Sequence, residues 1–470
     1  MTEIKFGTDG WRALIGKGFV PENIIRVISG FCAFQKDSEN KLVYVGYDRR
    51  EKSDVSAKLV AHVLADAGFE VRLSKHFCPT PCISWIVKEK KALAGIIVTA
   101  SHNPSGWNGL KFKESYGGSA SPEYTAKIEK RIVELKNNLP QLNPYGELVD
   151  QGKIQPFDPE ETYVRHLRNF VDVEAIRGAN FQIGVDPLFG AGTGFTQKVL
   201  ETKVFEIHAE PDPKFGGLTP EPIEKNLQDL RDLVLKNKLD IGLATDGDAD
   251  RIGVIDGSGE FVNSHQIFAL LLKHHVQHRK LQGKIVKSIS TTQWINKICE
   301  AYGLELIETP IGFKHISRVL KESNALMGGE ESGGISLREH VHERDGILNG
   351  LFLLEMMAVH KKSMSGLLED IYKEFGRFYF LRDDYHLTSE KISQVKAKIF
   401  RHDFSEVDGI KVKDYSTVDG TKILFQDDSW ILVRASGTEP LLRVYAEAHT
   451  KERVKTLLDF VKCHLTLGAA

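Results

Sequence analysis

Short apolar runs rich in valine and isoleucine alternate along the chain with longer stretches whose apolar residues recur at helical spacing. The runs include Leu42–Val45, Gly95–Val98, Gln182–Val185, Ile241–Ala244 and Lys284–Ser288; the helical stretches include Ser56–Ala67 and Glu221–Leu235. Strand then helix, repeated, predicts an α/β chain with largely parallel sheets. Three times an apolar run leads into a loop of small and polar residues. Ala94–Thr99 leads into Ala100-Ser-His-Asn-Pro104, Asp240–Thr245 into Asp246-Gly-Asp-Ala-Asp-Arg251, and Ala325–Met327 into Gly328-Gly-Glu-Glu-Ser-Gly-Gly334. Ligands of open α/β sheets lie beyond the carboxyl ends of the strands, so three such units aim three chemically different loops at one cleft.

After about Phe375 the pattern changes. A helix is expected near Ser389–Phe400, then hairpin-like strands at Ile423–Gln426, Trp430–Arg434 and Leu442–Glu447, then a closing helix near Glu452–Leu465. This tail reads as a separate α+β domain. The polar stretch Lys136–Pro156, with Pro140, Pro144 and Pro156, reads as a connection between the first two domains. The expected division is therefore 1–148, 157–256, 257–370 and 375–470, three repeated α/β domains with mixed, largely parallel sheets and a C-terminal α+β domain around a central cleft.

The chain has 470 residues, 41% hydrophobic and 27% charged, as a packed globular protein does. A single core rarely exceeds about 250–300 residues, which agrees with several domains. Sixty-two basic and 64 acidic residues leave a formal net charge of −2. That balance does not point to nucleic acid or an anionic membrane, so any phosphate must be handled by local basic groups. The five cysteines are scattered; only Cys78 and Cys82 are close, with no second pair to complete a zinc site. Reduced, buried thiols are expected. The start, MTEIKFGTDGW, has no basic-then-apolar segment, and apolar runs such as Ile267–Leu272 fall far short of the ~20 residues that span a bilayer. A cytoplasmic enzyme is expected.

A serine hydroxyl is a poor nucleophile without activation. Ser101 ends a buried strand, where free backbone N–H groups suit a phosphate. His102 adds a hydrogen-bonding side chain, and Lys111 in Asn108-Gly-Leu-Lys111 can return to the same cleft. Asp246, Asp248 and Asp250 alternate with Gly247 and Ala249. Three carboxylates on one tight loop repel unless a cation neutralises them, and hard oxygen ligands suit Mg²⁺ or Ca²⁺. An EF-hand is rejected: counting from Asp246, Arg251 stands where its glycine belongs and Gly257 where its glutamate belongs, and the flanks read as strands. Magnesium held by three carboxylates still lacks ligands, and a phosphoryl oxygen supplies one. Arg251 would then contact substrate.

Glu330, Glu331 and Ser332 on a glycine frame suit sugar hydroxyls, although a plain turn has the same composition. Arg434-Ala-Ser-Gly-Thr-Glu-Pro440, followed by Arg443, offers arginine forks, two hydroxyls and an open backbone to a phosphate. Gly190-Ala-Gly-Thr-Gly194 is spaced G-x-G-x-G rather than as a dinucleotide loop and reads as a structural turn.

Taken together these stretches resemble the α-D-phosphohexomutases, the phosphoglucomutase/phosphomannomutase family. The resemblance spans the chain and rests on Thr99–Pro104, Asp246–Arg251, Gly329–Gly334 and Arg434–Pro440 in family order, with Phe6–Arg12 and Thr309–Lys314 in support. It implies four domains around a central cleft, the fourth mobile. It implies a phosphoserine at Ser101, which is also a metal ligand, and Mg²⁺ on Asp246, Asp248 and Asp250. Glu330 and Ser332 would contact sugar hydroxyls, and Arg434, Ser436, Gly437 and Thr438 the phosphate that is not reacting. Arg12 and Lys111 match positions tied to proton transfer or transition-state charge, with His102 beside the serine; Arg251 and Lys314 match substrate-facing positions. The implied reaction interconverts hexose 1-phosphate and hexose 6-phosphate through a hexose 1,6-bisphosphate, in a monomer or homodimer without nucleic-acid or membrane partners. Trp11 and Glu331 stand where glucosamine-specific members often carry isoleucine and glutamine, which favours glucose or mannose, and Lys314 favours glucose. Gly334 stands where dual-specificity members often carry histidine. A phosphoglucosamine-type mutase, a phosphosugar phosphatase and a non-catalytic sugar-phosphate binder are the alternatives.

Overall fold

Four sheets follow one another along the chain in this computed structural model, which describes residues 4–7, 9–136, 139–388, 390–394, 404–435 and 441–466. The first contains β1 (Trp11–Leu14), β2 (Leu42–Tyr47), β3 (Glu70–Ser74), β4 (Ala94–Val98), β5 (Trp107–Glu114) and β6 (Ile154–Phe157), in the order β1-β5-β4-β2-β3-β6. β4, β2, β3 and β6 run parallel, whereas β5 is antiparallel to β4. Every residue of β4 is buried, because helices cover both faces. Side chains alternate across the sheet. Val43, Val45, Ile96 and Val98 pack with Val27, Phe31, Val60 and Leu64 of helices Pro21–Gln35 and Ser53–Asp66. Tyr44 and Ile97 meet Ile83, Ile86 and Val87 of helix Thr80–Glu89 on the other face.

The second sheet holds β7 (Ile183–Asp186), β8 (Phe205–Glu206), β9 (Ile241–Thr245), β10 (Ile252–Asp256) and β11 (Phe261–Val262), ordered β11-β10-β9-β7-β8. The third holds β12 (Ile285–Ser288), β13 (Leu306–Thr309), β14 (Met327–Gly329) and β15 (Ile335–Leu337), ordered β13-β12-β14-β15. One unit recurs in all three. A strand with a parallel neighbour (β4, β9 or β14) ends in a polar loop and returns as an antiparallel strand (β5, β10 or β15). This is the repeat read from the sequence.

The fourth sheet is antiparallel throughout. It contains β16 (Tyr379–His386), β17 (Glu406–Val407), β18 (Ile410–Ser416), β19 (Thr421–Phe425), β20 (Trp430–Ala435) and β21 (Leu441–Ala448), ordered β16-β21-β20-β19-β18-β17 and backed by helix Lys451–Thr466. Of the helix expected near Ser389–Phe400, residues 390–394 are helical; 389 and 395–403 lie outside the described residues.

Three expectations change. The stretch read as a connection ends in β6, so the first sheet continues past residue 148. Pro156 is tolerated there because β6 is an edge strand. β11 pairs with β10, so the second sheet continues past residue 256. Within Glu221–Leu235 the α-helix starts only at Gln228, after a 3₁₀ turn at Glu224–Asn226. Pro220 and Pro222 restrict the preceding backbone to extended conformations. No disulfide joins the five cysteines, and Cys32, Cys78, Cys82 and Cys299 are buried. No helix of the described residues is long and apolar enough to cross a membrane.

The fourth sheet docks on the third through Ile289, which packs with Trp430, Leu432 and Tyr445. Lys422 donates to the Ile289 carbonyl at 2.7 Å, and Asp419 accepts from the Ile311 amide at 3.0 Å. Burial and the nearby Lys287 push the buried Lys422 ammonium down to about 8, although Glu308 opposes them. An unfolded lysine keeps its proton to about pH 10.4, so between these values the unfolded chain binds more protons and stability rises with pH. The stability difference between Lys422→Met and the parent chain, followed by thermal unfolding, should therefore change in the parent's favour from pH 7 to pH 10. A difference independent of pH would contradict a strained buried ammonium.

Candidate active site

Ser101 follows β4, is fully buried, and has φ of +52°. A side chain other than glycine in this left-handed region costs roughly 1–2 kcal/mol. Two groups from the carboxyl end of β2 hold it there. Asp48 accepts from Thr99 Oγ1 at 2.5 Å, and Thr99 Oγ1 in turn accepts from the Ser101 amide at 2.9 Å. Arg50 lies beneath the loop and donates to the carbonyls of Ser101, Asn103, Pro104 and Trp107, with its Nε 3.3 Å from Asp48. One guanidinium thus fixes the whole turn.

The aspartate loop after β9 approaches from the second sheet. Ser101 Oγ donates to Asp246 Oδ2 at 2.9 Å. The approach is so close that a Cβ on Gly247 would lie 2.5 Å from the Ser101 carbonyl oxygen. The turn around Gly190 supports the loop from behind, with the Ala191 amide donating to the Gly247 carbonyl at 3.0 Å. Asp246, Asp248 and Asp250 are all buried, and each offers a carboxylate oxygen within 4.8 Å of the others. Lys111 of β5 donates to Asp248 Oδ2 at 2.7 Å and Asp250 Oδ2 at 2.8 Å and lies 2.8 Å from Asp9. Thr80 also donates to Asp248 Oδ2.

This leaves Asp248 Oδ1 and Asp250 Oδ1 buried with no hydrogen-bond partner. Buried carboxylate oxygens without a partner favour a cation, and all-oxygen donors of this kind could hold a hard divalent ion. Burial, then Asp250 and Asp248, push the Asp246 carboxyl well above its usual range. Burial would raise Asp248 as well, but Lys111 outweighs it and holds that carboxyl well below. Lys111 itself is raised, because Asp248, Asp250 and Asp9 together outweigh its burial.

From the third sheet, Glu330 after β14 accepts from Ser332 Oγ at 2.7 Å and meets Arg344 at 3.3 Å. Arg344 also binds Asp250 at 2.6 Å, Asp9 at 2.5 Å and Glu343 at 3.2 Å, joining the third loop to the first two. Glu331 accepts from Ser288 at 3.0 Å and Ser290 at 2.6 Å, beyond the end of β12. His102 Nδ1 lies 3.4 Å from Ser101 Oγ. Burial, then Arg251, Arg12 and Lys111, hold its imidazole well below the usual range and so neutral.

Arg12 donates to Asn103 Oδ1 at 2.6 Å, and Arg251 pairs with Glu221 at 3.2 Å while its amide donates to Asp246. The structure thus brings Ser101, His102, Arg12, Lys111, the three aspartates, Arg251, Glu330 and Ser332 into one linked cluster. Lys314, on the first turn of helix Phe313–Ser323, is half-buried and makes no hydrogen bond or ion pair with that cluster among the described residues. Arg434 pairs with Asp419 at 2.7 Å, and Ser436, Gly437 and Thr438 lie outside the described residues.

Sequence reasoning missed Asp48, Arg50, Thr80, Asp9, Glu343 and Arg344. Asp48 and Arg50 carried a usable signal, since they follow Tyr47 at a strand end like the other loops. Asp9 lies inside the supporting stretch Phe6–Arg12.

A buried serine facing a three-carboxylate cluster, with lysine and arginine around both, has the charge pattern that phosphoryl transfer requires. The chain matches the four descriptions "Phosphoglucomutase/phosphomannomutase, alpha/beta/alpha domain I" over residues 3–139, "domain II" over 161–259, "domain III" over 263–375 and "C-terminal domain" over 390–462. It is 32% identical to a phosphoglucomutase/phosphomannomutase of Thermococcus kodakarensis, covering 97% of this chain and 96% of that one. It is 30% identical to a phosphoglucosamine/phosphogalactosamine mutase of Sulfurisphaera tokodaii, covering 97% and 98%. A Thermus thermophilus crystal structure assigned as a phosphomannomutase superposes with a TM-score of 0.87 at 32% identity, over 99% of each chain. The chain belongs to the phosphoglucomutase/phosphomannomutase family and is a phosphohexomutase, an isomerase of the intramolecular phosphotransferase type.

Arg50→Lys should lower mutase turnover by about 100-fold with an unchanged circular dichroism spectrum, because a point charge cannot hold four carbonyls in place of a planar fork. Wild-type turnover in this variant would show that the serine loop holds its shape without the clamp.

Proposed function

We propose that the chain interconverts hexose 1-phosphate and hexose 6-phosphate, with glucose the preferred sugar and mannose the next, through a phosphoryl group carried on Ser101 Oγ. The observation that carries the reading is Ser101 Oγ, 2.9 Å from Asp246 beside the bare oxygens of Asp248 and Asp250. In the first half-reaction the free sugar hydroxyl forms the new O–P bond as the Oγ–P bond breaks. The hexose 1,6-bisphosphate then turns end for end, and its other phosphoryl group returns to Ser101. Asp246, Asp248 and Asp250, with Ser101 Oγ, would hold Mg²⁺, which neutralises charge on the phosphoryl oxygens.

Lys111 and Arg12 supply the remaining positive charge around the transferred group, and neutral His102 is an acceptor beside Oγ. Glu330 and Ser332 are the sugar contacts. Their shared hydrogen bond leaves acceptor positions that serve either orientation of the ring. Arg434, Ser436, Gly437 and Thr438 form the clamp for the phosphate that is not reacting, and Arg251 and Lys314 face substrate.

An amino-sugar substrate is the second reading, favoured by the glucosamine-phosphate mutases among the relatives and by the adjacent carboxylates of Glu330 and Glu331, which also suit an ammonium. Rates measured side by side on glucose, mannose, glucosamine and N-acetylglucosamine 1-phosphates, with catalytic 1,6-bisphosphate, decide between them. Glucose 1-phosphate should turn over fastest. A faster glucosamine phosphate would select the second reading, and phosphate release without isomer would point to a phosphatase.

Ser101→Ala should lose about 1,000-fold or more in turnover and fail to gain phosphate mass on incubation with glucose 1,6-bisphosphate. Chelation should abolish turnover of the parent chain and Mg²⁺ should restore it. Activity that survives either treatment would exclude the proposed chemistry.

A further inference from the structure

Glu330 and Glu331 are neighbours on one turn, yet their side chains are bound to different parts of the molecule. Glu330 joins Ser332 and Arg344 within the cluster around Ser101. Glu331 Oε2 instead accepts from Ser288 Oγ at 3.0 Å and Ser290 Oγ at 2.6 Å. The turn is closed by its own backbone: the Glu330 amide donates to the Gly334 carbonyl at 3.1 Å, and the Gly333 amide to the Glu330 carbonyl at 3.3 Å. Ser264 Oγ, at the start of helix Ser264–Gln277, donates to the Glu331 carbonyl. Glu331 is therefore held by side chain and main chain together.

Ser288 and Ser290 are fully buried, and each hydroxyl has one proton to give. A carboxylate accepts, so both protons point at Glu331. Thr291 Oγ1, 2.8 Å from Ser288 Oγ, then donates to that hydroxyl in turn. The segment that carries these groups is itself fixed. The Ile289 amide donates to the Thr309 carbonyl at 2.9 Å, and the Thr291 amide to the Ser288 carbonyl at 2.9 Å. Ile289, between the two serines, packs with Trp430, Leu432 and Tyr445 of the fourth sheet, and Lys422 holds its carbonyl. Burial, then the Glu331 carboxylate, push the Tyr445 phenol up to about 12, which puts that carboxylate near the fourth sheet.

We propose that Glu331 is a positioning residue: it anchors the turn that bears Glu330 and Ser332 to the Ser288–Ser290 segment, and so sets where those two side chains meet the sugar. This rests on the reading of Glu330 and Ser332 as the sugar contacts. With Oε2 taken up by two hydroxyls, Glu331 acts through the turn rather than on the ring of the substrate. Through Ile289 the turn and the fourth sheet share one base.

The test measures kcat and KM for glucose 1-phosphate in the full chain, with catalytic glucose 1,6-bisphosphate and millimolar Mg²⁺. Glu331→Ala should lower kcat/KM by about tenfold or more. Ser288→Ala and Ser290→Ala made together should lose as much. Adding Glu331→Ala to that pair should cost less than about twofold further, because all three changes break one interaction. Glu331→Gln keeps an acceptor oxygen and should recover to within about threefold of the parent, with the order of sugars unchanged. Ser101 should still gain phosphate mass from glucose 1,6-bisphosphate in every variant, so the loss is read per working site. The serine pair, changed only by two hydroxyls, carries the test if Glu331→Ala does not fold. Parent kinetics in Glu331→Ala or in the serine pair would overturn the proposal, as would losses that multiply in the combined variant. A fall confined to glucosamine 1-phosphate in Glu331→Gln would put the carboxylate on the sugar and overturn it too. Parent kinetics in Glu330→Gln would instead remove the sugar-contact reading beneath it, a result distinct from all of these.

Discussion

Asp246, Asp248 and Asp250 sit out of water within a few ångströms of one another, and that arrangement is tolerable only where positive charge arrives from several sides. The chain supplies it from separate sheets. Lys111 comes from β5 of the first, Arg251 from the loop itself, and Arg344 from the segment after β15 of the third. Asp9 then balances Lys111 and Arg344 together. Buried ion pairs of this kind carry a desolvation cost close to their Coulombic gain, so their main effect is to set how the units meet rather than how tightly. Charges of each unit pair with charges of the other two, which favours the relative position in which they meet.

The serine loop shows a second way of fixing geometry. Its left-handed residue, its strand-end position and the four carbonyls on Arg50 hold the backbone that carries Ser101 Oγ in one conformation. A reacting group held in this way need not reorganise as charge develops, which is where preorganised sites gain most of their rate. The small cost of a strained φ at Ser101 is distributed over Asp48, Thr99 and Arg50.

The parts of the fold that could be read in advance were those that local chemistry decides. Buried runs such as Ile241–Ala244 became strands close to their expected bounds, and the repeat of strand and polar loop became the repeated unit of three sheets. Ser101 and the aspartates stood out because each sits in a short loop whose residue types signal chemistry locally, a serine beside a histidine in one and three like charges at alternate positions in the other. Arg344 did not, because its partners Asp9, Asp250 and Glu330 are scattered in sequence and meet only when the sheets assemble. Arg50 escaped notice although it follows a strand end beside Asp48, because the carbonyls it holds belong to a loop some fifty residues later. β6 was hidden by its proline, which an edge strand tolerates and a central one would not.

Gly247 has a consequence for any attempt to recombine this protein with its relatives. The missing side chain at that position and the Ser101 carbonyl it faces belong to different sheets, yet there is no slack between them. A chimera that took its first α/β unit from one parent and its second from another would join two surfaces that were fitted to each other atom by atom. The natural crossover point therefore lies after the second unit, so that both halves of this contact come from one parent.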